Sequence, residues 1–263
     1  MESDQENLRL DIKTNVAAVK SQALWAGITP GMRIADLGCG PGKTTFTLSQ
    51  ILQPQGSVVG VDNSENRISY ATRRYSGKGI NYVCRDIRHS LLDLGLFDFI
   101  WARFVLEYNR RECFDIVKNI TTILKPGGIL CLIDLDYNCL THYGLPPRFE
   151  RAFLEISKEL TNNANFDPYV GRKLYSFLYD LGYADIAVRL TAHHLIYGKL
   201  TDTDEFNWTQ KIEVAAKKAG YGFDEYPGGY EEFYEEFKRF FSDPRRFTYT
   251  PLIECRGRKP LES

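Results

Sequence analysis

No run in the sequence approaches the roughly 18 apolar residues of a membrane-spanning helix, and its first residues, MESDQENLRLDIK, contain no apolar leader segment. The chain also lacks an excess of either charge, because 33 Lys and Arg stand against 34 Asp and Glu. No global field therefore attracts nucleic acid or anionic lipid. We expect a cytoplasmic monomer or homodimer that binds neither nucleic acid nor a membrane.

Paired cysteines are absent as well. The six cysteines are scattered without any C-x-x-C pair, and most lie in apolar runs, where a reduced thiol packs as a small hydrophobic group. They are Cys39, Cys84, Cys113, Cys131, Cys139 and Cys255. The pattern favours neither disulfides nor zinc, and we expect no bound metal.

Strand-like and helix-like segments alternate up to residue 134. An apolar helical face over residues 9–27 comes first, and strand then helix repeats after it, which is typical of a parallel sheet. Strands are predicted at 33–37, 57–62, 81–84, 97–102 and 129–133, and helices at 44–52, 65–75 and 110–124. With 43% hydrophobic residues, the chain suits one large domain or one domain with an added lobe.

Beyond residue 134 this rhythm breaks. Strands are predicted at 186–196 and 247–255, with amphipathic helices between and before them. We therefore assign residues 1–138, 171–200 and 247–263 to a core domain, and residues 139–170 and 201–246 to helical insertions. Two insertions at the same end of a sheet are typical of a lid over a small-molecule pocket, although their many aromatic residues also fit a purely structural role.

The stretch IADLGCGPGKT, residues 34–44, places three glycines at alternate positions directly after the first strand. A P-loop would need glycine at Leu37, and a dinucleotide fingerprint would need glycine at Lys43, so both phosphate-binding motifs fail. Glycine still lets the backbone turn tightly and approach a ligand at the carboxyl end of the strands.

Acidic residues end the next strands. Asp62 follows the glycines by about 20 residues, where a carboxylate can accept both hydroxyl protons of a ribose. Asp86 ends the third strand and can accept from an exocyclic amine, with Ile87 available to lie against the ring. Carboxylates at four successive strand ends favour a cationic nucleoside over ATP or NAD: Asp36, Asp62, Asp86 and Glu107.

These motifs together resemble a class I S-adenosylmethionine-dependent methyltransferase of the small-molecule type. The matching stretches are IADLGCGPG, VVGVDNSE, NYVCRDI, FDFIWARFVLEY and LKPGGILCLID, in the family's order over residues 32–134. The resemblance implies an α/β fold with a Rossmann-like seven-stranded sheet, mostly parallel with an antiparallel last strand, plus helical cap insertions. It implies S-adenosylmethionine as methyl donor and S-adenosylhomocysteine as product.

The resemblance also implies donor-binding roles for individual residues. The methionine part is expected near the glycine loop and the end of the fourth strand, the ribose at the end of the second strand and the adenine at the end of the third. The residues expected near the methionine part are Asp36, Gly38, Cys39, Gly40, Gly42 and Arg103. Asp62 and Asn63 are expected at the ribose. Asp86 and Ile87 are expected at the adenine. Arg9 is a further candidate for the methionine carboxylate.

Acceptor-side candidates follow the fifth strand. Methyl transfer from a sulfonium needs alignment above all, and needs a base only if the acceptor must first lose a proton. Tyr137 and His142 are the catalytic candidates, with His142 preferred as a general base because histidine ordinarily titrates near 6.5; the alternative is an ordinary loop histidine. His193 and His194 are expected on opposite faces of a strand, which disfavours a paired metal role.

Several functions remain open at this stage. No Asn/Asp-Pro-Pro-Tyr/Phe motif follows the fourth strand, and no paired cysteines flank the fifth, which argues against adenine-amine and RNA cytosine methylation. The leading hypothesis is a methyltransferase that acts on a small molecule in a lidded pocket. The alternatives are a methyltransferase acting on protein or RNA and a non-catalytic donor-binding protein. A nicotinamide-dependent oxidoreductase is disfavoured, because Lys43 replaces the third glycine.

Overall fold

The computed structural model describes residues 4–138 and 140–261, so Cys139 lies outside the described residues. The strands are β1 (Arg33–Leu37), β2 (Ser57–Asp62), β3 (Ile80–Cys84), β4 (Phe97–Arg103), β5 (Leu124–Leu135), β6 (His142–Tyr143), β7 (Ala184–Tyr197) and β8 (Phe247–Arg258). The helices are α1 (Asp4–Lys13), α2 (Val16–Ala26), α3 (Lys43–Leu52), α4 (Glu65–Tyr75), α5 (Cys113–Thr121), α6 (Pro147–Asn163), α7 (Leu174–Asp180), α8 (Asp202–Ala219) and α9 (Gly229–Ser242). None of these described helices is long and apolar enough to cross a bilayer.

The strands form one mixed sheet. Its order is β3-β2-β1-β4-β5-β8, with β7 on the outer side of β8. The two-residue β6 pairs with β8 on the same side as β5. Strands β1 to β5 are parallel, whereas β8 runs antiparallel to both β5 and β7. The predicted Rossmann-like sheet with an antiparallel last strand is confirmed, and β6 is a short addition.

Both faces of the central, parallel strands are covered, as is usual for parallel strands. Alternate residues of the central strands point to opposite faces. Leu37, Ile100 and Leu132 pack on one face with α5 and α7, while Phe99 and Trp101 pack on the other with α2 and α3. This packing fixes the carboxyl ends of the strands, and therefore the polar residues that follow them.

The amino-terminal helix differs from the sequence-based prediction. The apolar face over residues 9–27 predicted one helix, but the structure has two, α1 and α2. Asn15 separates them, because its side chain accepts a hydrogen bond from the Ala18 backbone N–H (3.1 Å) and caps α2. Asparagine at this position stabilises a new helix start, which leaves α1 to take its own direction.

Helices α6, α8 and α9 pack together as a three-helix unit. Their contact surface is rich in aromatic rings, and Phe149, Phe153, Trp208, Phe233 and Phe237 are all buried in it. Neighbouring rings meet at centroid distances such as 4.6 Å for Phe149 and Phe153 and 5.1 Å for Phe149 and Phe233. Aromatic pairs of this kind contribute about 1 kcal/mol each beyond area burial, so most of these rings hold the unit together.

Candidate functional site

The glycine loop follows β1 and is tied to β2. The backbone N–H groups of Gly38 and Cys39 both donate to the Val61 carbonyl, at 2.7 and 3.0 Å. Gly38 and Gly42 have positive φ angles of 76° and 90°, and a Cβ on either would collide with a neighbouring side chain. Gly40 also has positive φ, 55°, but nothing lies within 4 Å of its Cβ position. The loop therefore leaves open space beside Gly40, where a ligand can approach the backbone.

Asp62, at the end of β2, holds this loop in place. Its Oδ2 accepts from the Gly40 backbone N–H (2.9 Å), and its Oδ1 accepts from the Ser64 backbone N–H (3.0 Å). The Arg67 guanidinium lies 3.6 Å from Oδ1. A carboxylate has about four acceptor positions, so these contacts leave Asp62 able to accept two hydroxyl protons from a ligand.

A buried acid and a buried guanidinium lie behind the loop. Burial raises the pKa of Asp36 to about 7, although the hydrogen bond that it accepts from the Thr45 hydroxyl (2.6 Å) and the nearby Arg103 charge oppose this. Burial lowers the pKa of Arg103 to about 10, and its Nε donates to Gln22 Oε1 (3.1 Å). The guanidinium also lies 4.0 Å from the ring centroid of Phe104.

Phe104 has a positive φ of 59°, which is unusual for a residue other than glycine. A backbone of this kind costs on the order of 1–3 kcal/mol and is concentrated at functional sites. Here it directly follows β4, at the same edge of the sheet as the glycine loop. The strained residue therefore marks the end of β4 as part of the candidate site.

The end of β3 is more exposed than the ends of β1 and β2. The Asp86 carboxylate accepts from the Arg88 guanidinium, with Nε 3.0 Å from each carboxylate oxygen, and this hydrogen bonding lowers the pKa of Asp86. Ile87 is buried in the core, which leaves little of its side chain available to a ligand ring. Asn63, after β2, is exposed.

Helix α1 lies beside α3 and α4, next to the glycine loop. Tyr75 donates its hydroxyl proton to Asp11 Oδ1, and the Lys43 ammonium donates to the Asp11 carbonyl (2.6 Å). Two residues earlier in the same helix, Arg9 forms a two-point ion pair with Glu6, at 2.8 and 2.7 Å. The Arg9 guanidinium is thus already neutralised within its own helix.

Glu107 lies at the centre of a buried polar network past the end of β4. Asn138 donates from Nδ2 to Glu107 Oε2 (2.5 Å), and the Lys211 ammonium of α8 donates to Asn138 Oδ1 (2.7 Å). Asp134 accepts from the backbone N–H groups of Leu106 (2.9 Å) and Glu107 (3.2 Å). Burial raises the pKa of Glu107, and burial together with the Glu107 charge raises that of Asp134 well above its usual range.

Lys13, the last residue of α1, faces this network. Burial lowers the pKa of its ammonium to about 7, and the charges of Lys211, Arg9 and Arg103 lower it further while Glu107 opposes them. Among the described residues, no side chain makes a hydrogen bond or an ion pair with the Lys13 ammonium. The Lys13 side chain is half-buried, and an ammonium partly removed from water without an anionic partner is a costly arrangement, of the kind found where a ligand supplies the partner.

Comparisons with known proteins connect these strand ends to a family. The chain is similar to the demethylmenaquinone methyltransferase of Lactococcus lactis, 30% identical over 167 residues, which cover 60% of this chain and 61% of that protein. It is similar to the 2-phytyl-1,4-naphtoquinone methyltransferase of Synechococcus elongatus, 31% identical over 114 residues, 42% of this chain and 49% of that protein. The chain thus spans about half to three fifths of the length of these relatives.

A solved structure shares the fold. Phosphoethanolamine N-methyltransferase 2 of Haemonchus contortus, in complex with S-adenosylhomocysteine, superposes with a TM-score of 0.57 at 17% identity, over 93% of this chain and 52% of that one. A family model described as "Methyltransferase domain" matches residues 34–128, from β1 into β5. Residues 34–128 therefore match a methyltransferase domain, and the chain is similar in sequence and fold to class I S-adenosylmethionine-dependent methyltransferases. The methyl donor of this family is S-adenosylmethionine.

The fold brings most of the donor-side residues predicted from the sequence to one edge of the sheet. Asp36, Asp62 and Arg103 surround the glycine loop, while Asp86 lies one strand further along the sheet. These positions agree with the expected order of methionine, ribose and adenine along the strand ends. The individual donor contacts stay predictions.

His142 lies in a different environment from the one expected of a general base. Its Nδ1 is 2.9 Å from the Thr248 hydroxyl, and its ring stacks on Phe153 with centroids 5.4 Å apart. The rings of Trp208 and Phe240 meet it edge-on at 5.5 and 5.7 Å. These contacts pack the His142 ring against the three-helix unit. The sequence-based predictions, a general base or an ordinary loop histidine, did not include such packing.

Tyr137, the second catalytic candidate, contacts Tyr169 and Arg172, which do not belong to the glycine loop. Its ring meets that of Tyr169 edge-on at 5.2 Å, and the Arg172 guanidinium lies 4.6 Å from its centroid. Arg172 is fixed in turn by two hydrogen bonds to Asp136, at 2.9 and 3.0 Å. The catalytic role of Tyr137 stays a prediction.

The prediction that the His193 and His194 rings lie on opposite faces of their strand is wrong. Strict alternation would turn the two rings to opposite faces of β7, but the register shifts by one residue between Ala192 and His194, and the ring centroids lie 4.3 Å apart. A β-bulge of this kind inserts one residue and redirects the side chains that follow. Within the described part of the chain, no group of three or more His, Cys, Asp or Glu side chains is placed to hold a metal ion.

Sequence reasoning missed the cationic half of the site. Lys13, Asn138 and Lys211 belong to no local motif, and they come from α1, from the segment after β5 and from α8. Only the tertiary structure brings them to Glu107. No sequence signal singled out Lys13, because it lay within the helix predicted over residues 9–27, where a lysine ordinarily faces solvent.

Proposed function

We propose that the chain transfers the methyl group of S-adenosylmethionine to a small-molecule acceptor held between the strand ends and the three-helix unit, which acts as a lid. The observation that carries this proposal is the Lys211–Asn138–Glu107 network, because it joins α8 to the end of β4 directly beside the glycine loop. A pocket closed by helices in this way excludes a folded protein or an RNA helix. The lid supports the domain division at residues 139–170 and 201–246.

The glycine loop and the strand ends fit the donor. Bound S-adenosylmethionine supplies a methyl group on a positively charged sulfur, which an acceptor's electron pair displaces. We propose that the open space beside Gly40 takes the methionine part and that Asp62, with Asn63, takes the ribose. Asp86 with Ile87 remains the proposed adenine site, although an adenine amine has to share the carboxylate with Arg88.

The curated relatives support a small acceptor. The proteins from Lactococcus lactis and Synechococcus elongatus are named for methylation of demethylmenaquinone and of a phytyl-naphthoquinone. Both names describe small molecules with a conjugated ring. We take this as support for the class of acceptor and leave the identity of the acceptor to experiment.

Calorimetry followed by a turnover assay tests the proposal. S-adenosylmethionine and S-adenosylhomocysteine are expected to bind, whereas NAD and ATP are not, because the loop offers no pyrophosphate site. Formation of S-adenosylhomocysteine is then measured with a panel of hydroxylated aromatic acceptors. Tight donor binding without turnover on any small acceptor, combined with methylation of a protein or RNA, would overturn the small-molecule assignment.

His142→Phe tests the general-base prediction. An aromatic ring of similar size keeps the stacking on Phe153 and loses the hydrogen bond to Thr248, and each hydrogen bond lost in this way lowers the free energy of unfolding by about 1 kcal/mol. If the histidine has a structural role, turnover changes by less than about threefold. A loss of kcat by a factor of about 100 or more, with the fold intact by circular dichroism, would establish it as the base instead.

A further inference from the structure

Cationic side chains cluster around Glu107. Lys13 and Lys211 stand beside it and Arg103 lies nearby, whereas Arg9 is neutralised by Glu6. Burial and the Glu107 carboxylate raise the pKa of Asp134 well above the usual range, while the backbone N–H groups that it accepts from oppose this shift. Asp36, with a pKa near 7, is only partly ionised at neutral pH. Three cationic side chains, Lys13, Lys211 and Arg103, therefore share the acceptor side with Glu107 and Asp134, and burial disfavours the charged form of both carboxyl groups.

Flat, uncharged rings border the same cations. The Phe104 ring lies 4.8 Å from that of His193, which lies 4.3 Å from that of His194. Burial lowers the pKa of both histidines, that of His194 to about 2, and the charges of Lys13 and Lys211 lower both further. The two imidazoles are thus neutral at physiological pH and close to the two ammonium groups.

We infer that the acceptor of this methyltransferase carries an ionisable hydroxyl on a planar conjugated ring, a phenol or an enol, and is bound as its oxyanion between the ammonium groups of Lys13 and Lys211. The inference rests on the proposed function and adds the acceptor's chemical class. The ring lies against Phe104, His193 and His194, since planar groups stack well on such rings. The oxyanion provides the negative charge that Lys13 lacks.

Lys13 also explains how such an acceptor loses its proton. When the amine of Lys13 is neutral, the hydroxyl proton passes to Nζ, and the electron pair of the broken O–H bond stays on the acceptor as an oxyanion. The ammonium that forms then pairs with that oxyanion, so charge is conserved within the site. The groups that face Lys13 and set this balance are Lys211, Arg9, Arg103 and Glu107.

4-Nitrophenol is the probe, because only its anion is strongly coloured. The protein saturated with S-adenosylhomocysteine is titrated with the probe in buffer below the pKa of free 4-nitrophenol. We expect the phenolate absorbance to rise on binding, which shows that the site takes the ionised form. Lys13→Met and Lys211→Met are each expected to weaken this binding about tenfold or more, since each removes a charged hydrogen bond.

Lys217→Met is the matched control. Lys217 lies on the same helix as Lys211, is exposed and pairs with Glu213 at the surface, so its loss should leave probe binding unchanged. All three variants are expected to bind S-adenosylhomocysteine within about twofold of the parent protein, because each binding difference is assigned to the acceptor side. Thermal unfolding of each variant verifies that it is folded.

A second probe tests the role of Lys13 through pH. 2,4-Dinitrophenol is an anion throughout the neutral range, so its own ionisation does not change. Because the Lys13 ammonium loses its proton near 7, affinity for this anion should begin to weaken as the pH rises above that value. The same titration on Lys13→Met should lack this step.

Four outcomes overturn the inference. In the first, S-adenosylhomocysteine binds normally but 4-nitrophenol either does not bind or binds without a rise in phenolate absorbance. The proposed function is then kept and the inference about the acceptor is lost. Another is a Lys13→Met protein that loses S-adenosylhomocysteine but keeps the probe, which would assign Lys13 to the donor's carboxylate. A third is tighter binding of 4-nitrobenzoate than of 4-nitrophenol, which would indicate a carboxylate acceptor. Failure of S-adenosylhomocysteine to bind at all would overturn the proposed function as well.

Discussion

Asp62→Asn is expected to weaken the binding of S-adenosylhomocysteine about a hundredfold. The carboxylate accepts one hydrogen bond from Gly40 and one from Ser64, and it has positions left for the ribose hydroxyls. An asparagine amide must turn its NH₂ group toward one of these backbone N–H groups, and it loses the negative charge near Arg67. Hydrogen bonds to charged groups contribute about 1.5–3 kcal/mol each, and 2.7 kcal/mol corresponds to roughly a hundredfold in affinity.

Asp93→Asn is the control for this substitution. Asp93 is exposed and forms a surface ion pair with Arg85 at 3.4 Å, so the same chemical change there should leave donor affinity unaltered. Isothermal titration with S-adenosylhomocysteine compares the two variants with the parent protein. An Asp62→Asn protein that binds as tightly as the parent would show that the ribose lies elsewhere.

Two glycines in the same loop are expected to respond differently to alanine, Gly42 mainly through stability and Gly40 mainly through donor binding. A Cβ at Gly42 would lie 2.6 Å from the Ala71 Cβ and 2.8 Å from the Tyr82 hydroxyl, so Gly42→Ala adds overpacking to the strain of its positive φ. We expect the free energy of unfolding to fall by about 3 kcal/mol, as the sum of the two effects. Denaturant unfolding measures this loss.

Gly40→Ala should instead keep the fold and lose the donor. Nothing lies within 4 Å of the Cβ position, so the free energy of unfolding falls by only about 1–2 kcal/mol from backbone strain. The added methyl group occupies the space through which the donor approaches, and S-adenosylhomocysteine should bind at least about tenfold more weakly, the equivalent of about 1.4 kcal/mol. If Gly40→Ala binds the donor normally, the open space beside this residue is not part of the site.

The core of the fold could be predicted from the sequence because its determinants are local. Apolar runs such as Ile129–Ile133 specify buried strands, and the glycines of residues 38–42 specify the turn that follows β1. The break between α1 and α2 was missed, since it depends on one capping hydrogen bond, which the Asn15 side chain accepts. The bulge in β7 was missed because a single extra residue leaves almost no trace in the hydrophobic pattern.

The donor side and the acceptor side of the site also differ in how far local sequence motifs could group their residues. The residues assigned to the donor follow successive strands, and parallel strands bring their carboxyl ends to one edge, so local motifs were enough to group them. The acceptor side combines Lys13, Glu107, Asn138 and Lys211, which are far apart in the chain and meet only through packing. His142, by contrast, is close in sequence to β5, yet its ring packs with the three-helix unit.

The position of β8 has a consequence for how the protein is made. The last strand lies inside the sheet, between β5 and β7, and β7 pairs with no other described strand. On a ribosome, β1 to β5 can assemble as they emerge, but β7 stays without a neighbour until residues 247–258 have left the exit tunnel. Such a strand edge invites wrong pairing while it waits. Emergence of residues 247–258 therefore also closes the sheet and attaches the strand that carries His193 and His194.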